Sequence, residues 1–227
     1  MLYGKELWQE VNKCVNLENG EMVLPPYLAT EIEEDFKQFT FSLSRYKFAG
    51  KMLEGKKRVL EVGCSYGFKT RMLSQFVDKV IGVDFDEEAI NYANLFCRTE
   101  KREYICSDIL NLEYKDLGGL FDGAICLDAI EHIEQEKEDI FMRNILKNLD
   151  VHSVCIIGTP NITASEYQSE MSKIGHINLY SYDRLRSFME KYFYHVFMFS
   201  MNDEVVHTGF GAMAHYIFAV GVDKLEI

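Results

Sequence analysis

The sequence feature that most constrains the fold is the run Arg58 to Phe68, RVLEVGCSYGF, where a short apolar stretch leads directly into a turn with two glycines. Such a run predicts a buried β-strand, a tight turn and then a helix, because glycine lets the backbone turn and approach a ligand without a Cβ in the way. The first backbone N–H groups of that helix would face the same crevice. The run therefore predicts an α/β fold with a ligand site at this turn.

The spacing of the glycines narrows the class of ligand. A dinucleotide-binding turn has the spacing Gly-x-Gly-x-x-Gly, with the diphosphate on the N-terminus of the helix. Here the spacing is Gly63-x-Ser65-x-Gly67, and no third glycine follows in register. An acidic residue, Glu61, stands two places before the first glycine. This combination disfavours a diphosphate and favours a nucleoside cofactor.

Three further predicted strands also end in carboxylates. They are Lys79–Asp84, Glu103–Asp108 and Phe121–Asp128. Ligands of open α/β sheets bind at the carboxyl ends of the strands, so these side chains are expected to share one edge. Because a carboxylate can accept two hydrogen bonds from a cis-diol, Asp84 is the candidate for binding a ribose.

With this arrangement the chain resembles the class I S-adenosylmethionine-dependent methyltransferases, from about residue 45 to the C-terminus. The resemblance implies a doubly wound, Rossmann-like α/β sheet of seven strands in the order 3-2-1-4-5-7-6, with the last strand antiparallel. It also implies a cofactor site. The residues implied are Glu61, Gly63, Ser65 and Gly67 around the methionine part, Asp84 on the ribose, Asp108 on the adenine amino group, Phe85 and Ile109 as apolar walls, and Asp128 beside the cofactor.

Arg45 precedes the first strand, in the sequence Arg45-Tyr46-x-Phe48. The resemblance extends to family members in which this segment closes over the cofactor. Arg45 then pairs with the methionyl carboxylate of the cofactor; the alternative is an ordinary surface arginine.

The organisation along the chain predicts one domain with additions. Residues 1–26 are polar and end in two prolines, which predicts a loosely packed lead-in. Residues 27–227 are expected to form a single methyltransferase domain, because strands and helices alternate as βαβ units require. Segments 27–54, 159–181 and 201–211 are expected to cover the active-site edge.

Composition limits the possible partners. A net charge of −12 disfavours a protein that grips nucleic acid through its phosphates and favours a small-molecule acceptor. No apolar run approaches the ~18 residues that a membrane span requires. Six cysteines without metal-ligand spacing or a disulfide framework, together with the absence of a signal peptide, predict a cytoplasmic protein. It is expected to be a monomer or a homodimer.

The chemistry of the reaction is expected to lie after the fourth strand. Methyl transfer from a sulfonium requires alignment of the acceptor lone pair with the methyl carbon, and an alcohol must also lose its proton. In one arrangement His132 or His176 is the general base. In the other, a divalent cation such as Mg²⁺ or Mn²⁺ binds the acceptor oxygen. The ligands proposed for it are Asp128, Glu131, His132 and His176.

The sequence Asp128-x-x-Glu131-His132 with a distant histidine resembles the metal site of small-RNA 2′-O-methyltransferases and the related site of ubiquinone-biosynthesis O-methyltransferases. Many family members carry Glu-His here without a metal, so both arrangements remain open. The tail from His176 to His215 is similar to methyltransferases that modify sugars, nucleotide-linked sugars or phosphorylated groups for bacterial surface polysaccharide. The resemblance implies an O-methyltransferase of that kind. The alternatives are an RNA ribose 2′-O-methyltransferase and a non-catalytic cofactor-binding domain.

Overall fold

The computed structural model describes residue 6, residues 22–112 and residues 117–226. The predicted lead-in, residues 1–26, lies mostly outside the described residues. The strands are β1 Arg58–Val62, β2 Lys79–Asp84, β3 Arg102–Cys106, β4 Phe121–Leu127, β5 Leu149–Pro160, β6 Phe193–Asn202, β7 Val205–His207 and β8 Tyr216–Lys224. The α-helices are α1 Pro26–Glu34, α2 Phe36–Met52, α3 Thr70–Leu73, α4 Glu87–Phe96, α5 Glu138–Lys147, α6 Glu170–Gly175 and α7 Tyr182–Met189.

The strands form one sheet in the order β3-β2-β1-β4-β5-β8-β6-β7. The first five strands are parallel, whereas β8 runs antiparallel to both β5 and β6. The predicted Rossmann-like sheet with an antiparallel last strand is therefore confirmed. The predicted count of seven strands was one too few, because the short strand β7 pairs with β6 inside the segment predicted as the loop 201–211.

Two apolar layers cover the two faces of the sheet. Successive residues of β1 alternate between them: Val59 packs with α2 and α3, and Leu60 packs with α5 and α7. Both residues are fully buried, as expected of a parallel sheet that is covered on both faces. The C-terminal ends of the parallel strands consequently form the edge that the connecting segments surround.

Local interactions and the start of the next strand set the boundaries of α4 and α5. Helix α4 begins where Asp86 accepts hydrogen bonds from the backbone N–H groups of Glu88 and Ala89, which caps its first turn. The apolar spacing of residues 134–149 predicts a single helix with Ile140 on its buried face, but α5 spans only Glu138–Lys147 and Leu149 already belongs to β5. Ile140, predicted to be buried on that helix, is half exposed.

The segment 159–181 contains more regular structure than its aperiodic sequence predicted. A 3₁₀ helix spans Ile162–Tyr167, and α6 follows at Glu170–Gly175. Asn161 anchors this segment, because its side-chain amide donates hydrogen bonds to the carbonyls of Gly211 and Ala214. These hydrogen bonds join the connection that follows β5 to the segment that precedes β8. Within the described residues, no helix combines the length and apolar composition that crossing a bilayer requires.

Candidate active site

The turn after β1 has the backbone that its glycines predict. Gly63 and Gly67 have φ values of 77° and 67°, in the left-handed region that glycine tolerates best. A Cβ on Gly67 would lie 2.5 Å from the ring of Tyr104, so the position has no space for a larger residue. Ser65, which replaces the usual middle glycine, is also left-handed at φ 49°. The substitution therefore keeps the turn.

Asp84, the candidate for binding a ribose, ties this turn to the end of β2. Its carboxylate accepts a hydrogen bond of 2.8 Å from the backbone N–H of Ser65 and another of 3.1 Å from that of Asp86. These bonds fix the direction of the carboxylate at the edge of the sheet. They leave lone pairs for hydroxyl donors, since each carboxylate oxygen can accept more than one hydrogen bond.

Glu61 is a buried carboxyl at the end of β1. Its Oε1 accepts a hydrogen bond of 2.7 Å from the hydroxyl of Tyr46, whereas its Oε2 is buried and has no hydrogen-bond partner among the described residues. Burial raises the pKa of Glu61 to about 7. A cationic group beside Oε2 would satisfy that oxygen and favour the charged carboxylate. The ammonium of a methionyl group has this character.

The predicted apolar walls, Phe85 and Ile109, and the predicted adenine contact, Asp108, follow β2 and β3 and lie in different surroundings. Phe85 is 79% exposed and is free to pack against a flat ring. Ile109 instead belongs to the apolar core. Asp108 is occupied by its own chain, because Oδ1 accepts from the backbone of Leu110 and Oδ2 from the side chain of Asn111. The adenine role of Asp108 stays a prediction.

Arg45 and Asp128, two predicted cofactor contacts, bind each other. Arg45 is almost fully buried on α2, and its Nη1 lies 2.9 Å from both carboxylate oxygens of Asp128. Its guanidinium also lies over the ring of Tyr216, 3.9 Å from the centroid. Asp128 has φ 56°, and its backbone N–H donates to the carbonyl of Gly158. Arg45 is therefore not a surface arginine.

Glu131 is a second buried carboxyl, on a one-turn 3₁₀ helix that spans Ile130–His132. Its Oε2 accepts a hydrogen bond of 3.1 Å from the hydroxyl of Thr159 at the end of β5. Its Oε1 is buried without a partner among the described residues. Burial and the nearby carboxylate of Asp128 raise the pKa of Glu131 to about 8.

The two predicted histidines meet beside Glu131. The rings of His132 and His176 are 5.1 Å apart, and one donor atom each of Glu131, His132 and His176 lie within 4.8 Å of one another. His132 Nδ1 lies 2.8 Å from the carbonyl oxygen of Gly175. Because a carbonyl only accepts, Nδ1 carries the proton and Nε2 keeps a lone pair. Burial and the neighbouring His132 lower the pKa of His176, which favours its neutral imidazole, the form that can act as a base or a ligand.

The fourth predicted metal ligand does not join this cluster. Asp128 is absent from the group of close donor atoms because both of its oxygens face Arg45. On a helical turn, positions 128, 131 and 132 would share one face, and the predicted set of metal ligands depends on that placement. The left-handed backbone at Asp128 breaks that helical register and turns the side chain toward α2 instead.

Tyr216 is a polar residue at this site that the sequence reading missed. It begins β8, pairs in register with Pro160 of β5, and is completely buried. Its hydroxyl lies where a side chain on Gly158 would be, 2.8 Å from an ideal Cβ, and has no hydrogen-bond partner among the described residues. An aromatic residue in a strand is most simply a core residue, so the sequence carried no signal for this hydroxyl.

The residues around this edge fit the cofactor that the sequence predicts. Buried polar atoms without partners are rare in folded proteins. This edge holds several of them, on residues from α2 and from the ends of β1, β4 and β8. They are Nε of Arg45, Oε2 of Glu61, Oε1 of Glu131 and the hydroxyl of Tyr216. A ligand with both donors and acceptors, such as the zwitterionic methionyl group, could satisfy such a set.

Comparison with known sequences gives a family for the central part of the chain. Residues 60–157 match a family described as a methyltransferase domain. The chain is 31% identical over 114 residues to a ubiquinone biosynthesis O-methyltransferase of Rickettsia conorii. That match covers 49% of this chain and 38% of the Rickettsia protein. The similarity thus spans less than half of the relative.

Two solved structures share the fold. One is the N-methyltransferase NodS from Bradyrhizobium japonicum WM9 in complex with S-adenosyl-L-homocysteine, with a TM-score of 0.58, 15% identity, and coverage of 82% of this chain and 86% of NodS. The other is the methyltransferase domain of bacterial CtHen1-C, with a TM-score of 0.65, 16% identity, and coverage of 80% of this chain and 98% of that domain. At these identities the likeness concerns the fold alone.

Proposed function

We propose that this chain, whose residues 60–157 match a methyltransferase domain family and whose fold is shared by solved methyltransferases, uses S-adenosylmethionine to transfer a methyl group to a hydroxyl oxygen of a small molecule. The observation that carries the proposal is the cluster of Glu131, His132 and His176. Glu131 and His132 follow β4 and His176 follows β5, at the edge that also holds the glycine turn. A sulfonium leaves as a neutral thioether, so the protein's remaining task is to hold the acceptor oxygen and take its proton.

His132 is the proposed general base. Its Nδ1–H donates to the carbonyl of Gly175, which fixes the tautomer and leaves Nε2 as the proton acceptor. Gly175 in turn lies next to His176, so the same backbone segment orients both rings. Glu131, held by Thr159, is the acidic neighbour of this base. Burial raises its pKa, but the positive charge of the imidazolium formed on His132 would favour the ionised carboxylate, and the two opposite charges would then stabilise each other.

The same three residues could instead hold a divalent ion, which would supply positive charge to the acceptor oxygen. Glu131 Oε1 and Nδ1 of His176 are both buried without partners among the described residues, so both atoms could bind an ion. The donor set is two imidazoles and one carboxylate. It suits Mn²⁺ or another first-row transition ion better than Mg²⁺, which prefers oxygen ligands.

The acceptor class follows from the resemblance and the relatives. The matched Rickettsia protein is named a ubiquinone biosynthesis O-methyltransferase, which supports oxygen as the methylated atom. Similarity to enzymes that modify surface polysaccharide makes a sugar hydroxyl the narrower proposal.

The test is methyl transfer from labelled S-adenosylmethionine to a panel of sugars, nucleotide sugars and aromatic ortho-diols. The protein is first treated with a chelator and then assayed with and without added Mn²⁺ or Mg²⁺. Transfer that survives chelation identifies the base mechanism, and transfer restored only by Mn²⁺ identifies the metal-assisted one. His152→Ala is the matched control for His132→Ala, because His152 is an exposed histidine outside the site.

The two alternative functions give different results in the same assay. Binding of S-adenosylmethionine without transfer to any acceptor, under every metal condition, would indicate a non-catalytic cofactor-binding domain. Transfer to the ribose of a short RNA in preference to every small molecule would indicate an RNA ribose 2′-O-methyltransferase.

A further inference from the structure

We infer that the acceptor of this enzyme carries no phosphate near its reacting oxygen. Its substrates are therefore free sugars or other uncharged alcohols and phenols. Nucleotide-linked and phosphorylated compounds are not substrates. The inference rests on the proposed function and narrows its substrate class. It comes from the charges on the chain segments that follow the C-terminal ends of β1 to β6 at the reaction edge. We define these segments as residues 63–70, 84–88, 106–112, 128–140, 159–184 and 203–215.

Each lysine and arginine on these segments is already paired with a carboxylate. Lys69 binds Glu31 at 3.3 Å, Lys137 binds Glu134 at 3.1 Å and Lys173 binds Glu170 at 2.7 Å. Arg184 binds Glu138, which also accepts a hydrogen bond of 2.7 Å from the hydroxyl of Tyr180. The charge of each cation is therefore balanced within the protein itself.

The buried cation that faces the edge from outside these segments is also paired. Arg45 binds both oxygens of Asp128, and its flat face is covered by the ring of Tyr216. Nε of this guanidinium is buried without a partner among the described residues, and a ligand that used it would meet a group whose charge Asp128 already balances. One donor of this kind suits the single carboxylate of a methionyl group rather than an additional phosphate.

Acidic residues are far more numerous than cations on the same segments. They are Asp84, Asp86, Glu87, Glu88, Asp108, Asp128, Glu131, Glu134, Glu136, Glu138, Asp139, Glu166, Glu170, Asp183, Asp203 and Glu204. A phosphate brought to this edge would meet a negative field without a free cation in these segments to neutralise it. Phosphate recognition in proteins depends on arginine, lysine or free backbone N–H groups, and like charges at a contact repel each other.

The backbone N–H groups at the start of the glycine turn are already hydrogen-bonded. Helix N-termini and glycine turns bind phosphate when their N–H groups are free. Here the N–H groups of Gly63 and Cys64 donate to the carbonyl of Val83, and that of Ser65 donates to Asp84. The turn thus presents a carboxylate, which suits hydroxyl donors such as a ribose.

A divalent ion at the cluster would leave the inference unchanged. Two neutral imidazoles and Glu131 would reduce the ion's charge to one. That single charge is matched by the acceptor's own reacting oxygen, which becomes negative when its proton leaves. The remaining field at the edge would still come from the acidic residues.

The inference is tested with matched acceptors that differ only in a phosphate. Labelled methyl transfer is measured for a methyl glycoside and its sugar phosphate, for the corresponding nucleotide sugar, and for an ortho-diol and its monophosphate, each with and without Mn²⁺. In every pair that is turned over, the uncharged member is expected to have a kcat/KM at least about tenfold higher. A higher kcat/KM for any phosphorylated member would overturn the inference.

A charge-changing variant tests whether the protein discriminates against phosphorylated acceptors by charge rather than by the shape of the acceptor. Glu134→Gln frees Lys137 at the rim without touching the site residues, since Glu134 is exposed. It is expected to raise turnover of phosphorylated acceptors several-fold and leave that of uncharged acceptors the same. Equal effects on both members of a pair would contradict the electrostatic explanation.

Binding measurements distinguish failure of this inference from failure of the proposed function. Protein loaded with S-adenosyl-L-homocysteine is titrated with uridine diphosphate glucose, with glucose 6-phosphate and with a short RNA. No saturable binding is expected up to millimolar concentration, even if no acceptor in the transfer assay is turned over. Saturable micromolar binding that weakens with salt would overturn the inference, whatever the transfer assay shows.

Discussion

Arg45 and Asp128 form an ion pair in which Nη1 of the arginine lies 2.9 Å from each carboxylate oxygen of the aspartate. The pair joins α2 to the end of β4, and the arginine is almost fully buried. It occurs where Asp128 holds a left-handed backbone at φ 56°. The ion pair therefore holds the helix over the strand ends and fixes the conformation from which the Glu131 turn begins.

Loss of this pair is expected to destabilise the protein. Asp128→Ala would leave a buried guanidinium without its partner, which typically costs about 3–5 kcal/mol. Asp128→Asn keeps one acceptor oxygen and tolerates the left-handed backbone, so its cost should be about 1–2 kcal/mol. Chemical denaturation of both variants measures the difference. Asp203→Ala is the control, because Asp203 is exposed and also left-handed at φ 50°. A similar loss in Asp203→Ala would assign the effect to the backbone.

Tyr216→Phe is expected to separate stability from ligand binding. The hydroxyl of Tyr216 is buried without a partner, so its removal should leave the free energy of unfolding of the cofactor-free protein the same or raise it by up to about 1 kcal/mol. The ring that supports Arg45 remains in place. If the hydroxyl finds its partner in a bound ligand, affinity for S-adenosylmethionine or for the acceptor should fall several-fold. Isothermal titration calorimetry measures the affinity for S-adenosylmethionine and for the acceptor. If both affinities are unchanged, the hydroxyl binds neither ligand.

The sequence was sufficient to predict the elements that depend on local pattern. The strand predicted at Lys79–Asp84 matches β2 residue for residue, because an apolar run between charged ends marks a buried strand without ambiguity. The glycine turn and the carboxylates at the strand ends follow from the same pattern. The strand Val205–His207 was missed, since three residues at the edge of a sheet carry no periodicity.

Contacts between distant segments could not be predicted in the same way. Arg45 and Asp128 are 83 residues apart, and Asp128 was predicted to face Glu131 and His132. Only its left-handed backbone, which strand and helix patterns do not reveal, turns the side chain toward α2. Tyr216 shows the same limit, because a buried hydroxyl and a core ring have the same sequence pattern. The meeting of His132 with His176 could be predicted only by resemblance.

The buried carboxyl of Glu131 is expected to make stability depend on pH. Its pKa is about 8 in the folded protein, against an ordinary value of 4.5, so the folded state retains a proton that the unfolded state has lost between these values. The stabilising contribution is full below about pH 4.5 and is lost as the pH rises toward 8. The free energy of unfolding should therefore fall between pH 5 and 9, and Glu131→Gln should remove about 4 kcal/mol of that fall.

Denaturation of the cofactor-free protein across this pH range measures the slope. Glu61 contributes in the same direction, because burial raises its pKa to about 7, so Glu131→Gln alone should leave part of the slope. Glu61→Gln should remove that part. A slope equal to that of the wild type in both variants would show that these carboxyls are ionised in the folded state.

Gly67→Ala is expected to be much more damaging than the same substitution at a glycine with similar backbone geometry. Gly55 and Gly67 both have left-handed φ values, 83° and 67°. At Gly55 an added Cβ would meet nothing within 4 Å, so Gly55→Ala measures the backbone strain alone, about 1 kcal/mol. At Gly67 the same carbon would lie 2.5 Å from the ring of Tyr104, whose hydroxyl donates to the Gly67 carbonyl. Steric overlap should bring the total to about 2–4 kcal/mol and weaken S-adenosylmethionine binding at least tenfold. Equal losses of stability in the two variants, with cofactor affinity retained in Gly67→Ala, would show that the turn can shift away from Tyr104 without disturbing the cofactor site.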